Sequence, residues 1–190
     1  WIDPIFPDRM MVAHDGCASM SLNRGQSFEN VVLPIAQMYH VAVDDQVPYF
    51  VYGNRQDGWS YRGPSNSLQG YIPVGLWQGV GGCESGFAKP DPLDPNIVWS
   101  GCYDGGLERY DRQTGYAREV RVWPEAGYGW TPSDLKYRWH WNFPLSFSPH
   151  TAHRVYVGSQ FVHKTDDDGQ SWQVISPDLT LNLKDHQQNS

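Results

Sequence analysis

The amino-acid sequence predicts an all-β protein built from successive four-stranded antiparallel sheets, and three observations carry that expectation. The composition is 39% hydrophobic, 14% aromatic and only 18% charged, with 19 Gly and 14 Pro in 190 residues. That is too apolar for disorder and too rich in turn formers and aromatics for a helical bundle. No segment sustains a 3.6-residue apolar period between caps, so helix content should be small. An internal repeat also runs along the chain.

The repeat opens on a small or acidic residue, usually followed by proline, with an apolar pair seven and eight places on. Its copies are Asp3-Pro-Ile-Phe-Pro7 leading to Met10-Met11, Asp44 leading through Pro48 to Val51-Tyr52, Asp91-Pro-Leu-Asp-Pro95 leading to Val98-Trp99, and Ser148-Pro149 leading to Val155-Tyr156. The last copy has Ala152 where the others place a proline. The anchors 3, 44, 91 and 148 stand 41, 47 and 57 residues apart, the period of a four-stranded propeller blade with growing insertions. The predicted fold is therefore a β-propeller of four-stranded antiparallel blades, with about four blades in this chain. The blades fall at 1–33, 34–80, 81–135 and 136–180, and 181–190 is a tail. The chain opens on Trp-Ile-Asp inside its first blade, which reads as a fragment of a larger propeller or a processed form.

Each element has a local justification. First strands are expected at Tyr39–Val43, weakly at Gly86–Ala88, and at Pro144–Ser148. A β-branched or aromatic second strand follows each anchor, as in Arg154–Val157. Third and fourth strands follow, as in Phe161–Lys164 and Ser171–Ile175. Between these last two lies TDDDGQSW, with Thr165, Asp167, Gly169, Ser171 and Trp172 at alternate or closing positions. The first repeat carries Ser21, Asn23, Gly25, Ser27 and Phe28 at the equivalent place. Asp or Asn bonds backbone amides in an Asx-type turn, and Gly accepts the left-handed conformation. The closing aromatic is expected to plug the hairpin against its own blade. A calcium loop of the EF-hand type would need alternating acids and a later glutamate, and Leu179 occupies that range. The acids of TDDDGQSW thus read as a structural staple. In the third repeat Tyr110–Gly115 makes the corresponding turn.

These two motifs resemble the Asp-box, or BNR, repeat of sialidases, tandem-propeller xyloglucanases and sortilin-type receptor domains. Leu33–Asp44, Gly101–Arg112, Leu135–Asn142 and Ser176–Leu179 are similar to stretches of large exported bacterial proteins described as sortilin-like or glycosyl-hydrolase-like. The resemblance implies a propeller and an extracellular or periplasmic location. It separates enzyme from binding protein weakly, because such boxes stabilise both. Asn23 and Phe28 depart from the usual Asp and Trp, the middle repeats lack a box, and four blades are few for the family. Missing blades of a parent chain, or a homo-oligomer, would cover the exposed edges.

Sites in a propeller form where the second-to-third-strand loops and the approaches to the first strands meet. The loops carry Asp15-Gly16, Gln56-Asp57-Gly58, Asp104-Gly105 and Gln160; the approaches carry His40, Glu84 and Arg138–Asn142. Asp-Gly is also a favoured hairpin turn, the competing reading for Asp15 and Asp104, which stand with the others as candidate substrate contacts. Asp57 has an amide (Gln56) and an aromatic (Trp59) beside it, the combination of directional hydrogen bonds and flat platform that sugars require. Glu84 stands in a glycine-rich loop, and pairing it with Asp57 across a cleft would supply the two carboxylates of a glycoside hydrolase. Arg138-Trp-His-Trp-Asn142, if a strand, turns Arg138, His140 and Asn142 to one side and the tryptophans to the other.

Other chemistries find little support. A net charge of −7 leaves no basic patch for nucleic acid, and no run of 18 apolar residues would span a membrane. His150 and His153 lack a third ligand, no metal or cofactor is expected, and no Gly-x-Ser-x-Gly elbow occurs. Cys17, Cys83 and Cys102 fit no disulfide framework and read as small buried hydrophobes, with at most one bridge. An arginine triad has only Arg55 and Arg138 to draw on. Two functions follow: a carbohydrate-directed propeller that uses Asp57 and Glu84 on a polysaccharide or oligosaccharide, or a sortilin-like module that holds a peptide or protein without turnover.

Overall fold

A computed structural model describes residues 1–15, 17–31, 35–127 and 129–188. Gly16, Leu33 and Pro34, which belong to an expected loop and to expected blade boundaries, lie outside the described residues. The chain is all-β, with four antiparallel sheets taken in sequence order. Among the described residues the only helical elements are two 3₁₀ turns, Val74–Leu76 and Lys184–His186, and no helix is long and apolar enough to cross a membrane.

Residues 1–36 form one compact unit, a three-stranded sheet of β1 (Met10–His14), β2 (Cys17–Ser21) and β3 (Glu29–Val31). Residues 37–190 form the other, with three sheets of four strands each. The first holds β4 (Ala42–Val43), β5 (Phe50–Asn54), β6 (Ser60–Pro64) and β7 (Gln78–Gly79); the second β8 (Ala88–Pro90), β9 (Ile97–Gly101), β10 (Leu107–Asp111) and β11 (Tyr116–Glu119); the third β12 (Leu145–Phe147), β13 (Val155–Gly158), β14 (Val162–Thr165) and β15 (Gln173–Val174). Each is a simple meander in strand order.

The anchors explain why the repeat is visible in sequence. In all four copies the anchor amide donates to the carbonyl six residues on: Asp3 to Arg9, Asp44 to Phe50, Asp91 to Ile97 and Ser148 to Arg154. The anchor side chain then accepts from amides inside the loop it closes, Ile5 and Phe6 for Asp3, Gln46 and Phe50 for Asp44, Leu93 for Asp91, and His150 and Thr151 for Ser148. Eight residues after the anchor, Tyr52 and Trp99 return a side-chain bond to Asp44 and Asp91. A short polar side chain is needed for the loop and a strand residue for the return, which is the pattern the sequence repeats.

Two cores lie between consecutive sheets of the larger unit. Tyr52, Val80, Ala88 and Val98 pack between the sheets of β4–β7 and β8–β11. Trp99, Leu107, Val120, Phe143, Leu145, Val155 and Val157 pack between those of β8–β11 and β12–β15. β9 is buried at every position, whereas β13 alternates buried and half-buried residues with a period of two.

Both box-like turns have the geometry expected of them. Asp167 Oδ1 accepts from the Ser171 amide at 2.9 Å and Thr165 Oγ1 accepts from the Gly169 amide at 3.0 Å. Asn23 Oδ1 and Ser21 Oγ do the same for Ser27 and Gly25, at 3.0 and 2.8 Å. The closing aromatic is a correction. Trp172 reaches the neighbouring sheet rather than its own, donating Nε1–H to Val120 O at 2.9 Å. Arg118 donates to the Asp168 carbonyl, and Arg109 lies 3.7 Å from the Asp168 carboxylate. Gly169 is required here twice over: its φ is +77°, and a Cβ would come within 2.7 Å of Val120.

Three further expectations change. Residues 138–142 form no strand. The Arg138 amide goes to the Gln160 side chain and the Asn142 amide to His140 Nδ1, so no ladder can form. Trp139 packs against the core while Trp141 stays 41% exposed. The first strands are shorter than expected, Ala42–Val43 and Leu145–Phe147, with Met38 joined to Arg55 as an isolated bridge. Cys83 and Cys102, 19 residues apart, form a disulfide.

Candidate functional site

The site is built outward from Gln56. The β5–β6 turn is closed by the Arg55 amide bonding Trp59 O at 3.3 Å, with Asp57 left-handed at φ 55°, a conformation Asp tolerates better than most residues. The Gln56 amide is tied to Gln37 O at 2.9 Å, and Tyr39 donates its hydroxyl to Gln56 Oε1. The side-chain nitrogen is thereby turned outward, where it donates to Asp57 Oδ1 at 3.0 Å and to Glu84 Oε2 at 2.6 Å. Glu84 Oε2 also accepts the Asp57 amide at 3.1 Å. The structure therefore brings Gln56, Asp57 and Glu84 together from consecutive sheets. Two carboxylate oxygens that share one donor lie within roughly 6 Å of each other.

Glu84 is held in place by what stands on either side of it. Cys83 is bonded to Cys102, and its amide donates to Gly101 O at 3.1 Å. Asn54, fully buried at the end of β5, offers its amide to Ser85 O at 2.7 Å, Ser60 Oγ at 2.9 Å, and Cys83 O and Gly101 O at 3.1 Å. Gly82 N donates to Glu108 Oε2 at 2.8 Å. The glycine-rich approach is thus a tightly tethered segment.

Beside the disulfide opens a cleft of about 400 Å³, lined among others by Trp59, Tyr103, Asp104, Glu108, Glu119 and Arg121. Trp59 is 62% exposed, and Tyr103 is backed by Trp141, the rings parallel within 11° and 5.3 Å apart. Asp104 sits at φ 55° and Gly105 at φ 70° in a tight turn closed by the Gly106 amide on Tyr103 O, the signature of a type I′ hairpin turn. Glu108 and Glu119 face each other across β10 and β11, a like-charge pair that the Glu119–Arg121 ion pair offsets.

The remaining expected residues lie apart from this group. Gln160 is buried, with one amide atom on Lys136 O and the other on the Arg138 amide. Arg138 extends to Asp178 and Thr180. His140 is exposed beside Trp141. His40 stacks on Phe87 at 3.8 Å, near Lys89; burial and then the Lys89 charge hold its pKa below the ordinary histidine value. Asp15 is exposed in the β1–β2 turn of the smaller unit. Among the described residues no group of three or more His, Cys, Asp or Glu could hold a metal ion.

Sequence reasoning missed Glu108, Glu119, Arg121 and the disulfide. The signal for Glu108 and Glu119 is a register, invisible until β10 and β11 are aligned. For the disulfide it is the folding of β8 against β9, which returns Cys102 to Cys83.

No family model matches the chain, and no curated protein matches it. Among solved structures it is similar to an auxiliary nutrient binding protein from Bacteroides thetaiotaomicron, with 12% sequence identity and a TM-score of 0.47. The match covers 94% of this chain and 41% of that one, so the chain spans less than half of that protein's length.

Proposed function

We propose that the chain is a stretch of consecutive β-propeller blades of Asp-box type, at 1–33, 34–80, 81–135 and 136–180, and that it binds carbohydrate through Gln56, Asp57, Glu84 and the adjoining Trp59 cleft. The observation that carries this reading is the Gln56 amide, oriented by Tyr39 to bridge Asp57 and Glu84 beside an exposed tryptophan. Fixed carboxylates and an amide offer sugar hydroxyls directional partners, and Trp59 and Tyr103 offer flat apolar faces. The disulfide supports an extracellular or periplasmic setting, since such bridges persist in oxidising compartments.

Binding is favoured over hydrolysis by the same contact. The close approach of the two carboxylates resembles the short spacing of a retaining glycosidase pair, about 5 Å. Yet the Gln56 nitrogen bonds both, and Glu84 Oε2 already accepts two donors, which leaves the pair engaged with each other's supports rather than open to a scissile oxygen. A sortilin-like peptide-binding role is the alternative, and the same assay separates them.

Affinity electrophoresis through gels containing neutral plant and bacterial polysaccharides tests the proposal, with reducing ends measured in parallel. Retardation by at least one glycan is expected, weakened several-fold in Trp59→Ala and Glu84→Gln, without release of reducing ends. Turnover that Asp57→Asn and Glu84→Gln both abolish would instead make the pair catalytic. No retardation by any glycan, alongside capture of a peptide library, would overturn the carbohydrate reading.

A further inference from the structure

Several half-buried cations in this protein meet carboxylates, and other cations meet amide or backbone oxygens, as Arg62 does at Gln78 and Arg118 at the Asp168 carbonyl. Arg109, Arg138, Arg154 and Lys164, with side chains 24%, 16%, 29% and 20% exposed, each lie within 4.0 Å of an aspartate oxygen. Lys89, like Lys136 over Trp123, has neither kind of partner among the described residues. It stands in the middle of β8, the edge strand of its sheet, which packs against β4 and β5 of the preceding one. Its ammonium lies 5.0 Å from the centre of the Phe87 ring and has no acceptor among the described residues. His40 covers the same ring at 3.8 Å, the planes 8° apart, and neither of its ring nitrogens has a hydrogen-bond partner among the described residues. In a chain carrying 21 acids and 14 Lys and Arg, two neighbouring basic groups without an acid invite an external one, since an unpaired charge drawn out of water is unfavourable.

We propose that His40, Phe87 and Lys89 form an anion-binding shelf that takes the carboxylate of an acidic sugar. The carboxylate follows from the charges. Lys89 supplies one positive charge and His40 one N–H donor, so a monoanion is matched where a dianion would be left half neutralised. Phe87 supplies an apolar floor that keeps water from one side and strengthens the ion pair. The sugar part of the assignment rests on the proposed carbohydrate function. Tyr39, which orients Gln56, and His40, which forms the shelf, are consecutive residues.

The test follows His40 by NMR, with the imidazole carbon labelled, while sodium glucuronate, sodium acetate or glucose is added at constant ionic strength. Burial and Lys89 hold the free imidazole below its ordinary pKa; a bound anion offsets the Lys89 charge and accepts the imidazolium N–H, and so raises it. Both acids should raise the His40 pKa, glucuronate saturating at the lower concentration, and glucose should leave it unchanged. Lys89→Gln should weaken glucuronate binding about tenfold, the loss of one charged hydrogen bond, and Lys89→Arg should retain it. Circular dichroism and thermal melts report whether each variant folds, and titration of the unsubstituted protein decides the matter even if a variant does not. If neither acid moves the His40 pKa, the shelf is not an anion site. If glucuronate binds no better than acetate, the sugar assignment fails. Neutral-glycan retardation at Trp59 is read separately, so loss of one reading does not mimic loss of the other.

Discussion

Replacing Asn54 by alanine should destabilise the larger unit by about 2 kcal/mol. The amide nitrogen has two hydrogens and four acceptors in reach, so deletion does not orphan all four. Gly101 O keeps the Cys83 amide, and Cys83 O keeps the Ser60 hydroxyl at 3.4 Å. Ser85 O loses the one donor it has among the described residues, a desolvation cost of about 1–3 kcal/mol for a buried carbonyl. A small void where the amide stood adds to this. Against both, Asn54 Oδ1 is itself buried without a partner, and its removal returns part of the loss. Urea unfolding followed by tryptophan fluorescence measures the difference. A change below about 0.5 kcal/mol, the level of an ordinary surface substitution, would refute the argument that this amide staples the Glu84 segment to β5. Glycan retardation should fall in the same variant, since Glu84 loses its anchorage.

Three further outcomes are expected. Replacing Cys83 and Cys102 by alanine should cost about 3 kcal/mol, the chain-entropy value for a loop of this length, read as the difference between the double variant and the oxidised protein in urea. Trp172→Phe should cost about 1 kcal/mol for the lost bond to Val120 O; an unchanged unfolding midpoint would show that water replaces the indole there. His163 is fully enclosed, and burial lowers its pKa to about 4. The unfolded chain therefore binds this proton more readily than the folded one, and stability should be complete above pH about 6.5 and decline from there toward pH 4. His163→Phe should flatten that part of the pH–stability curve, and a parallel curve in the variant would exclude His163 as its origin.

Much of the fold was legible because it is written in local hydrogen bonds. An anchor whose side chain must accept from the loop that follows it, and whose amide must reach the carbonyl six residues on, can only be a short polar residue at a fixed interval from a strand, and four copies of it reveal the period. The box-like turns were readable for the same reason. What failed was periodicity without partners. Arg138–Asn142 alternates polar and aromatic residues as a strand would, yet its amides are claimed by Gln160 and His140. At the site, Asp57 and Glu84 could be paired from loop positions alone, because the loop between the second and third strands of one sheet meets the approach to the first strand of the next. Glu108, Glu119 and Arg121 belong to strand ends and registers, and Lys89 has no local sequence signal, because Phe87 and His40 are placed around it by the fold.

The indole of Trp172 gives the arrangement a direction. Its bond runs from the turn of one sheet back to the preceding one, and the Asp168 carbonyl and carboxylate grip Arg118 and Arg109 on that same predecessor. The turn of the β12–β15 sheet is thus a latch upon the sheet before it. In a nascent chain the β8–β11 sheet would then be secured by the arrival of β12–β15, and shortening from the C-terminal side would unfasten more than the residues removed: deletion of 166–190 would bare Val120, take the Asp168 carbonyl from Arg118 and leave Arg109 without its counter-ion.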